Sequence, residues 1–183
     1  MTARSDDYVT RAPWTPVPTA GLVLSFAFAA LIVYFTFFGG GWVPLVDDAN
    51  VAVHEAGHPL LGVVNAQWSV YGGTLAQLAF PALCVFEFWR RCWTLSCALC
   101  GVWLGQCLFN VAIYAADAQA MQLPLLSFGP HPLHDWNRIL SRWGVLQYDA
   151  AIASVLRGVG FIVIAAALWF LYYQWWQERP VEK

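Results

Sequence analysis

The stretch GLVLSFAFAALIVYFTFF, residues 21–38, contains no charged residue and is apolar almost throughout. Further stretches without Asp, Glu, Lys or Arg follow at 56–86, 92–116 and 158–177. Each is at least as long as the roughly 20 residues that a helix needs to cross a bilayer. The alternation typical of barrel strands is absent, so these segments must satisfy their backbone groups as helices. The sequence therefore predicts an all-α, polytopic membrane helix bundle.

The overall composition agrees with a membrane protein. Of the 183 residues, 60% are hydrophobic and only 11% are charged, and the mean hydropathy is +0.55. A soluble domain usually carries about 25% charged residues, so a water-soluble globule is excluded, as is a disordered chain. The net charge of −2 offers no basic face, and no nucleic-acid partner is expected. The expected environment is the lipid bilayer.

Polar, Pro and Gly residues divide the chain into segments. We expect a short N-terminal tail over 1–20, a membrane helical domain over 21–177 and a short C-terminal tail over 178–183. The domain is expected to contain about four spanning helices plus a short kinked or re-entrant helix that carries HEAGH, with Pro59 as the cause of the kink. The predicted helices are 21–38, 51–66, 74–89, 92–116 and 150–176, with N-caps at Asp47, Asp48 or Asn50, a turn at Gly72-Gly73 and a mixed stretch over 117–148.

The residues with the clearest chemistry are His54-Glu55-Ala56-Gly57-His58. Positions i and i+4 share one helix face, so His54 and His58 can reach one Zn²⁺ while Glu55 acts as general base toward its water molecule. Ionisable residues near membrane depth are costly and usually functional, which favours a metal site. The alternative is a polar patch at a helix start, with His58 hydrogen-bonded to the backbone.

A catalytic zinc ion normally takes three protein ligands, so HEAGH leaves one ligand to be found. Asp135, in the segment HDWNRIL, is the first candidate. The other candidates are His134, His131 and Asp117.

A polar stripe follows the otherwise apolar segment 92–116. Its members are spaced four, four and three residues apart and are Gln106, Asn110, Tyr114 and Asp117. Such a stripe must face protein or water rather than lipid. We expect it either to line the site or to hydrogen-bond neighbouring helices.

The side of the membrane on which each motif lies gives an independent expectation. HEAGH and HDWNRIL can meet only if an even number of crossings separates them. This condition holds if 51–66 is re-entrant and both 74–89 and 92–116 span the membrane. The same arrangement puts both termini and most of the nine Lys and Arg residues on one side, which the positive-inside rule assigns to the cytoplasm. We expect an integral protein of a bacterial inner membrane with cytoplasmic N- and C-termini.

The sequence VAVHEAGHPL (51–60), followed by Gly-Gly and apolar helices, resembles the site-2-protease type of intramembrane zinc metalloprotease. The chain is similar still more closely to small, uncharacterised bacterial membrane proteins that pair HEAGHP with a GGTLAQL-like helix and an HDWN segment. The resemblance to site-2 proteases implies that His54 and His58 bind zinc and that Glu55 is the general base. That family takes its third ligand from the Asp of an L-D-G motif. This chain has no L-D-G, so Asp135 is assigned from local chemistry and topology.

The expected function is a membrane-embedded, zinc-dependent hydrolase, a peptidase whose substrate is a membrane-associated protein. Asn137, Arg138 or His131 are the expected hydrogen-bond donors to the oxyanion. The alternative is a non-catalytic subunit that binds partners in a larger membrane complex and uses a structural metal or polar cluster as a clasp. Three protein ligands with an open position would favour catalysis, and a closed site with four ligands would favour the clasp.

Overall fold

The computed structural model describes residues 13–124 and 134–179, and in this part of the chain it is a helical bundle without strands. The predicted all-α fold is thus confirmed. The helices are α1 (Thr19–Phe37), α2 (Val46–Val64), α3 (Ser69–Arg90), α4 (Thr94–Ala116), α5 (Asp135–Trp143) and α6 (Asp149–Gln177), and short 3-10 turns cover Ala66–Trp68 and Leu146–Tyr148.

Four helical segments, those containing α1, α3, α4 and α6, are long and apolar enough to cross a membrane. Large apolar side chains such as Phe26, Leu83 and Ile162 are exposed on them, and lipid accommodates such a surface where water would not. The four helices indicate a membrane protein. Among the described helices, α2 is not a candidate membrane-spanning helix, because its 19 residues include three carboxylates and both HEAGH histidines. That α2 is re-entrant stays a prediction.

The HEAGH helix is longer than predicted and begins at Val46 rather than residue 51. All three expected N-caps therefore lie inside the helix, Asn50 in its second turn and Asp47 and Asp48 in its first. The two aspartates still satisfy backbone donors ahead of the helix, since Val43 N–H donates to Asp47 at 2.6 Å and Leu45 N–H donates to Asp48 at 2.9 Å. Carboxylates at this position also interact favourably with the helix dipole. The helix continues through Pro59 to Val64.

The predicted turn at Gly72-Gly73 is wrong, because both glycines lie inside α3. Helices α2 and α3 approach so closely that a Cβ on Gly57 would collide with the Gly72 carbonyl, and a Cβ on Gly72 would collide with the Gly57 carbonyl. Small residues permit such an approach between membrane helices. The chain turns instead at 65–68, where the Asn65 side chain accepts a hydrogen bond from Gln67 N–H at 2.8 Å.

Helix α4 lies at the centre of the bundle and contacts each of the other five helices. Phe109 and Val102 on α4 are fully buried. Where α4 crosses α6, Gly105 leaves room for the Gly160 backbone, so the two helices pack closely. This central position brings the polar stripe of α4 against α2 and α3.

The two ends of the bundle contain different groups. At one end, Thr15 N–H donates to the carbonyl of Cys92, in the connection between α3 and α4, at 2.8 Å. Val17 N–H donates to the Glu178 side chain at 3.0 Å, so both ends of the described chain lie beside this connection. The start of α3, the end of α4 and helix α5 lie at the opposite end. Helices α3 and α4 therefore separate HEAGH from HDWNRIL, and the two motifs meet.

Candidate metal site

The two histidines of α2 and the first residue of α5 converge on one point. His54 Nε2 lies 3.2 Å and His58 Nε2 lies 3.3 Å from Asp135 Oδ2. One donor atom from each of the three residues lies within 4.8 Å of the others. Ligands placed tetrahedrally at about 2.0–2.1 Å from a zinc ion would lie about 3.3–3.4 Å from one another. The two distances to Asp135 Oδ2 match this spacing, and the three donor atoms lie close enough together to share one zinc ion.

The hydrogen bonds of the two imidazoles leave both Nε2 atoms available to a metal. His58 Nδ1 lies 2.8 Å from the Ser69 carbonyl oxygen, which only accepts, so Nδ1 carries the hydrogen. His54 Nδ1 lies 3.1 Å from Gln77 Oε1, which also only accepts, so this Nδ1 carries a hydrogen as well. In the neutral form both Nε2 lone pairs therefore face the carboxylate of Asp135. Such a cluster of lone pairs and negative charge is stabilised by a cation between the groups.

Gln77 is oriented by a chain of buried amides. Its Nε2 donates to Asn110 Oδ1 at 2.8 Å, which turns its Oε1 toward His54. Asn110 Nδ2 and Gln106 Nε2 in turn donate to Asp47 Oδ1 at 2.9 and 2.6 Å. Gln77 is 3% exposed and Asp47 is fully buried. The orientation of His54 thus depends on residues of three helices, α2, α3 and α4.

Gln77 was not predicted to be part of the site. The signal was present, because Gln77 is the one strongly polar residue in the apolar run LAQLAFPALCVF, 75–86. A polar side chain at membrane depth needs a partner in the protein. Gly73, which was assigned to a turn, also serves the site, because a Cβ there would collide with the His54 imidazole.

Without a metal ion, His58 holds a proton strongly. The hydrogen bond to Asp135 raises the pKa of His58 to about 9. Burial by itself would raise the pKa of Asp135, but its side-chain contacts with His54 and His58 outweigh burial and lower that pKa. At neutral pH a divalent cation must therefore displace the proton of His58.

Glu55 opens onto a cavity of about 710 Å³ that the three converging residues also line. Its carboxylate makes no hydrogen bond or ion pair with residues 13–124 or 134–179. Tyr114 lines the cavity as well, and its hydroxyl accepts the Asp135 N–H at 2.9 Å. A site that opens onto a cavity of this size can admit a ligand.

Two other metal-ligand candidates, His134 and Asp117, lie in the described part of the chain and outside this group. His134 Nε2 lies 3.3 Å from Asp117 Oδ2, and Nδ1 of the same imidazole accepts the Asn137 N–H at 3.2 Å. Burial lowers the pKa of His134, so its Nε2–H donates to Asp117 in the neutral form. This pair joins the end of α4 to the start of α5. His131 lies outside the described residues.

The polar stripe of α4 both lines the site and hydrogen-bonds neighbouring helices. Gln106 and Asn110 hydrogen-bond across helices, and Asn110 and Tyr114 also line the cavity. Among the expected oxyanion donors, Asn137 does not line the cavity, because its amide donates to the Ala118 carbonyl at 2.8 Å. Arg138 does line it.

No protein-family model, curated protein or solved structure gives a significant match to this chain.

Proposed function

We propose that this chain is a membrane-embedded, zinc-dependent hydrolase, a peptidase that cleaves a membrane-associated substrate. The observation that carries the proposal is the convergence of His54 Nε2, His58 Nε2 and Asp135 Oδ2 beside the free carboxylate of Glu55. Two histidines and a carboxylate form a usual ligand set of catalytic zinc. Three donors that open onto a cavity support catalysis over a structural clasp in a larger membrane complex.

His54, His58 and Asp135 would hold the zinc ion, and Gln77 and the Ser69 carbonyl would orient the two imidazoles. Bound zinc supplies Lewis acidity, which makes a water molecule acidic enough to lose a proton near neutral pH. Glu55 is next to His54 in sequence and faces the cavity. It would take a proton from the water that adds to the carbonyl carbon and would deliver this proton to the amine nitrogen as the C–N bond breaks.

Tyr114 would stabilise the oxyanion of the reaction. Its oxygen accepts the Asp135 N–H, and its own O–H donates to no group among the described residues. That hydrogen is available to a substrate carbonyl in the cavity, as a fixed donor beside the proposed metal ligands.

The arrangement of the bundle supports a position for the site in the membrane. Arg90, Arg91 and Arg179 lie at the end that joins both ends of the described chain, opposite the site. Arg138, Arg142 and Arg157 lie nearer the site, so the excess of positive charge that would assign the first end to the cytoplasm of a bacterial inner membrane comes from Arg4, Arg11 and Lys183 in the sequence of the two tails. On that assignment the site would lie toward the outer face. The substrate would reach the cavity from that face or from the bilayer.

The proposal is tested by peptide hydrolysis with the zinc-loaded protein in nanodiscs. We expect Glu55→Gln to keep its zinc, since Glu55 is not a ligand, and to lose at least about 100-fold in kcat. Glu87→Gln is the matched control, because Glu87 forms ion pairs with Arg90 and Arg91 on α3 and does not line the cavity. Equal rates for wild type and Glu55→Gln, or no hydrolysis by the zinc-loaded wild type, would contradict the proposal.

A further inference from the structure

The cavity of the proposed site is lined by two arginines of α5, Arg138 and Arg142. Together with Asp135 they follow i, i+3 and i+7 spacing, so the proposed metal ligand and both guanidinium groups share one face of the helix. The neighbours Ile139 and Leu140 are buried against the bundle on other faces of α5. Helix α5 thus presents one ligand and two cations to the cavity.

Neither guanidinium group has an anionic partner in the described part of the chain. Every ion pair found in residues 13–124 and 134–179 involves Arg90, Arg91 or a histidine. The carboxylates that line the cavity are Glu55 and Asp135, which the proposed function assigns to proton transfer and to the metal. Arg138 and Arg142 therefore remain free to bind an anion that enters the cavity.

We propose that Arg138 and Arg142 select substrates that carry a carboxylate close to the cleaved bond. This inference rests on the proposed hydrolase function and deepens it. A guanidinium group binds a carboxylate through two parallel hydrogen bonds, a geometry that an ammonium group does not match. The carboxylate is either the terminal carboxyl group of a peptide or an acidic side chain.

Helix geometry sets how far this carboxylate lies from the reacting bond. At a rise of about 1.5 Å per residue, the Cα atoms of Arg138 and Arg142 lie about 4.5 and 10.5 Å along α5 from Asp135. An extended peptide advances about 3.3 Å per residue. The selected carboxylate therefore lies within about three residues of the cleaved bond.

The first test compares pairs of peptides with the zinc-loaded, full-length protein in phosphatidylcholine nanodiscs, which contain no anionic lipid. In the first kind of pair, one peptide has glutamate and the other has glutamine at a single position, and each position within three residues of the cleaved bond is tested in turn. In the second kind of pair, one peptide has a free carboxyl terminus and the other has an amidated one. We expect kcat/KM to be up to about fivefold higher for the acidic member, since an exposed ion pair contributes up to about 1 kcal/mol. Loss of the preference on amidation identifies the terminal carboxyl group, and its persistence identifies the side chain.

Charge reversal makes the test specific to these arginines. Arg142→Glu should invert the preference so that lysine-containing peptides are cleaved faster than their glutamate counterparts. Arg90→Glu is the matched control, because Arg90 is an exposed arginine outside the cavity, and it should leave the preference unchanged. Equal cleavage of acidic and neutral peptides by the wild type would overturn the inference and leave the hydrolase function standing.

A binding measurement separates failure of this inference from failure of the proposed function. Fluorescein-labelled peptides are titrated against Glu55→Gln, which should bind without cleaving. Tighter binding of acidic peptides, weakened about fivefold by Arg142→Gln, supports the inference even if no hydrolysis is observed. Equal affinity for acidic and neutral peptides would overturn it.

Discussion

The substitution Gln77→Leu tests whether the buried amides that orient His54 increase the zinc affinity of the proposed site. It removes the acceptor of His54 Nδ1 at 3.1 Å and the donor to Asn110 at 2.8 Å while filling a similar volume. A buried N–H left without an acceptor costs about 1–3 kcal/mol, so the imidazole turns away from the orientation that aims Nε2 at Asp135. Loss of such a supporting hydrogen bond typically weakens metal binding by about 10–100-fold, or roughly 1.4–2.7 kcal/mol.

The assay is competition for zinc against a chromogenic chelator, with the thermal unfolding of each variant measured in parallel. Gln106→Leu is the matched control, because Gln106 is an equally buried amide of the same network, bonded to Asn50 and Asp47 and not to either histidine. We expect Gln106→Leu to lower the unfolding temperature and to change the zinc Kd by less than about threefold. Equal zinc affinities in Gln77→Leu and Gln106→Leu would refute the proposed role of Gln77.

Three further predictions concern the geometry and the protonation of the site. Gly73→Ala should lose most of its zinc, because the added Cβ collides with the His54 imidazole, whereas Gly62→Ala adds a Cβ at an ordinary 3.5 Å contact and should keep it; metal analysis of both proteins decides. Apparent zinc affinity should rise about tenfold per pH unit between pH 6.5 and 8, because binding displaces one proton from His58, whose pKa is about 9; an affinity independent of pH would count against this. Asp117→Asn should retain its zinc, because Asp117 bonds His134 and lies outside the ligand group; a loss as large as that of Asp135→Ala would show otherwise.

The features that sequence analysis predicted correctly are those set by local pattern. The charge-free stretches became the helices of the bundle because a lipid environment leaves a long apolar segment no other way to satisfy its backbone. The spacing of His54 and His58 placed both on one face of α2 because that follows from helix geometry. The two motifs HEAGH and HDWNRIL can meet only if an even number of crossings separates them. In the structure two long apolar helices, α3 and α4, lie between them in the sequence.

The errors concern features that only tertiary packing decides. Gly72-Gly73 was predicted as a turn because paired glycines usually mark one, yet here they let α2 and α3 approach. His134 and Asp135 are adjacent, and only the orientation of α5 decides that Asp135 faces the histidines of α2 while His134 faces Asp117. Gln77 lies on a different helix from His54, so no spacing in the sequence connects the two.

The proposed function depends most directly on whether His54, His58 and Asp135 bind one metal ion. Mass spectrometry of the detergent-purified protein measures metal content per chain in the wild type, His58→Ala, Asp135→Ala and Asp117→Asn. We predict about one zinc per chain in the wild type and in Asp117→Asn, and almost none in the other two variants. A metal-free wild type, or zinc that persists in His58→Ala and Asp135→Ala, would contradict the account.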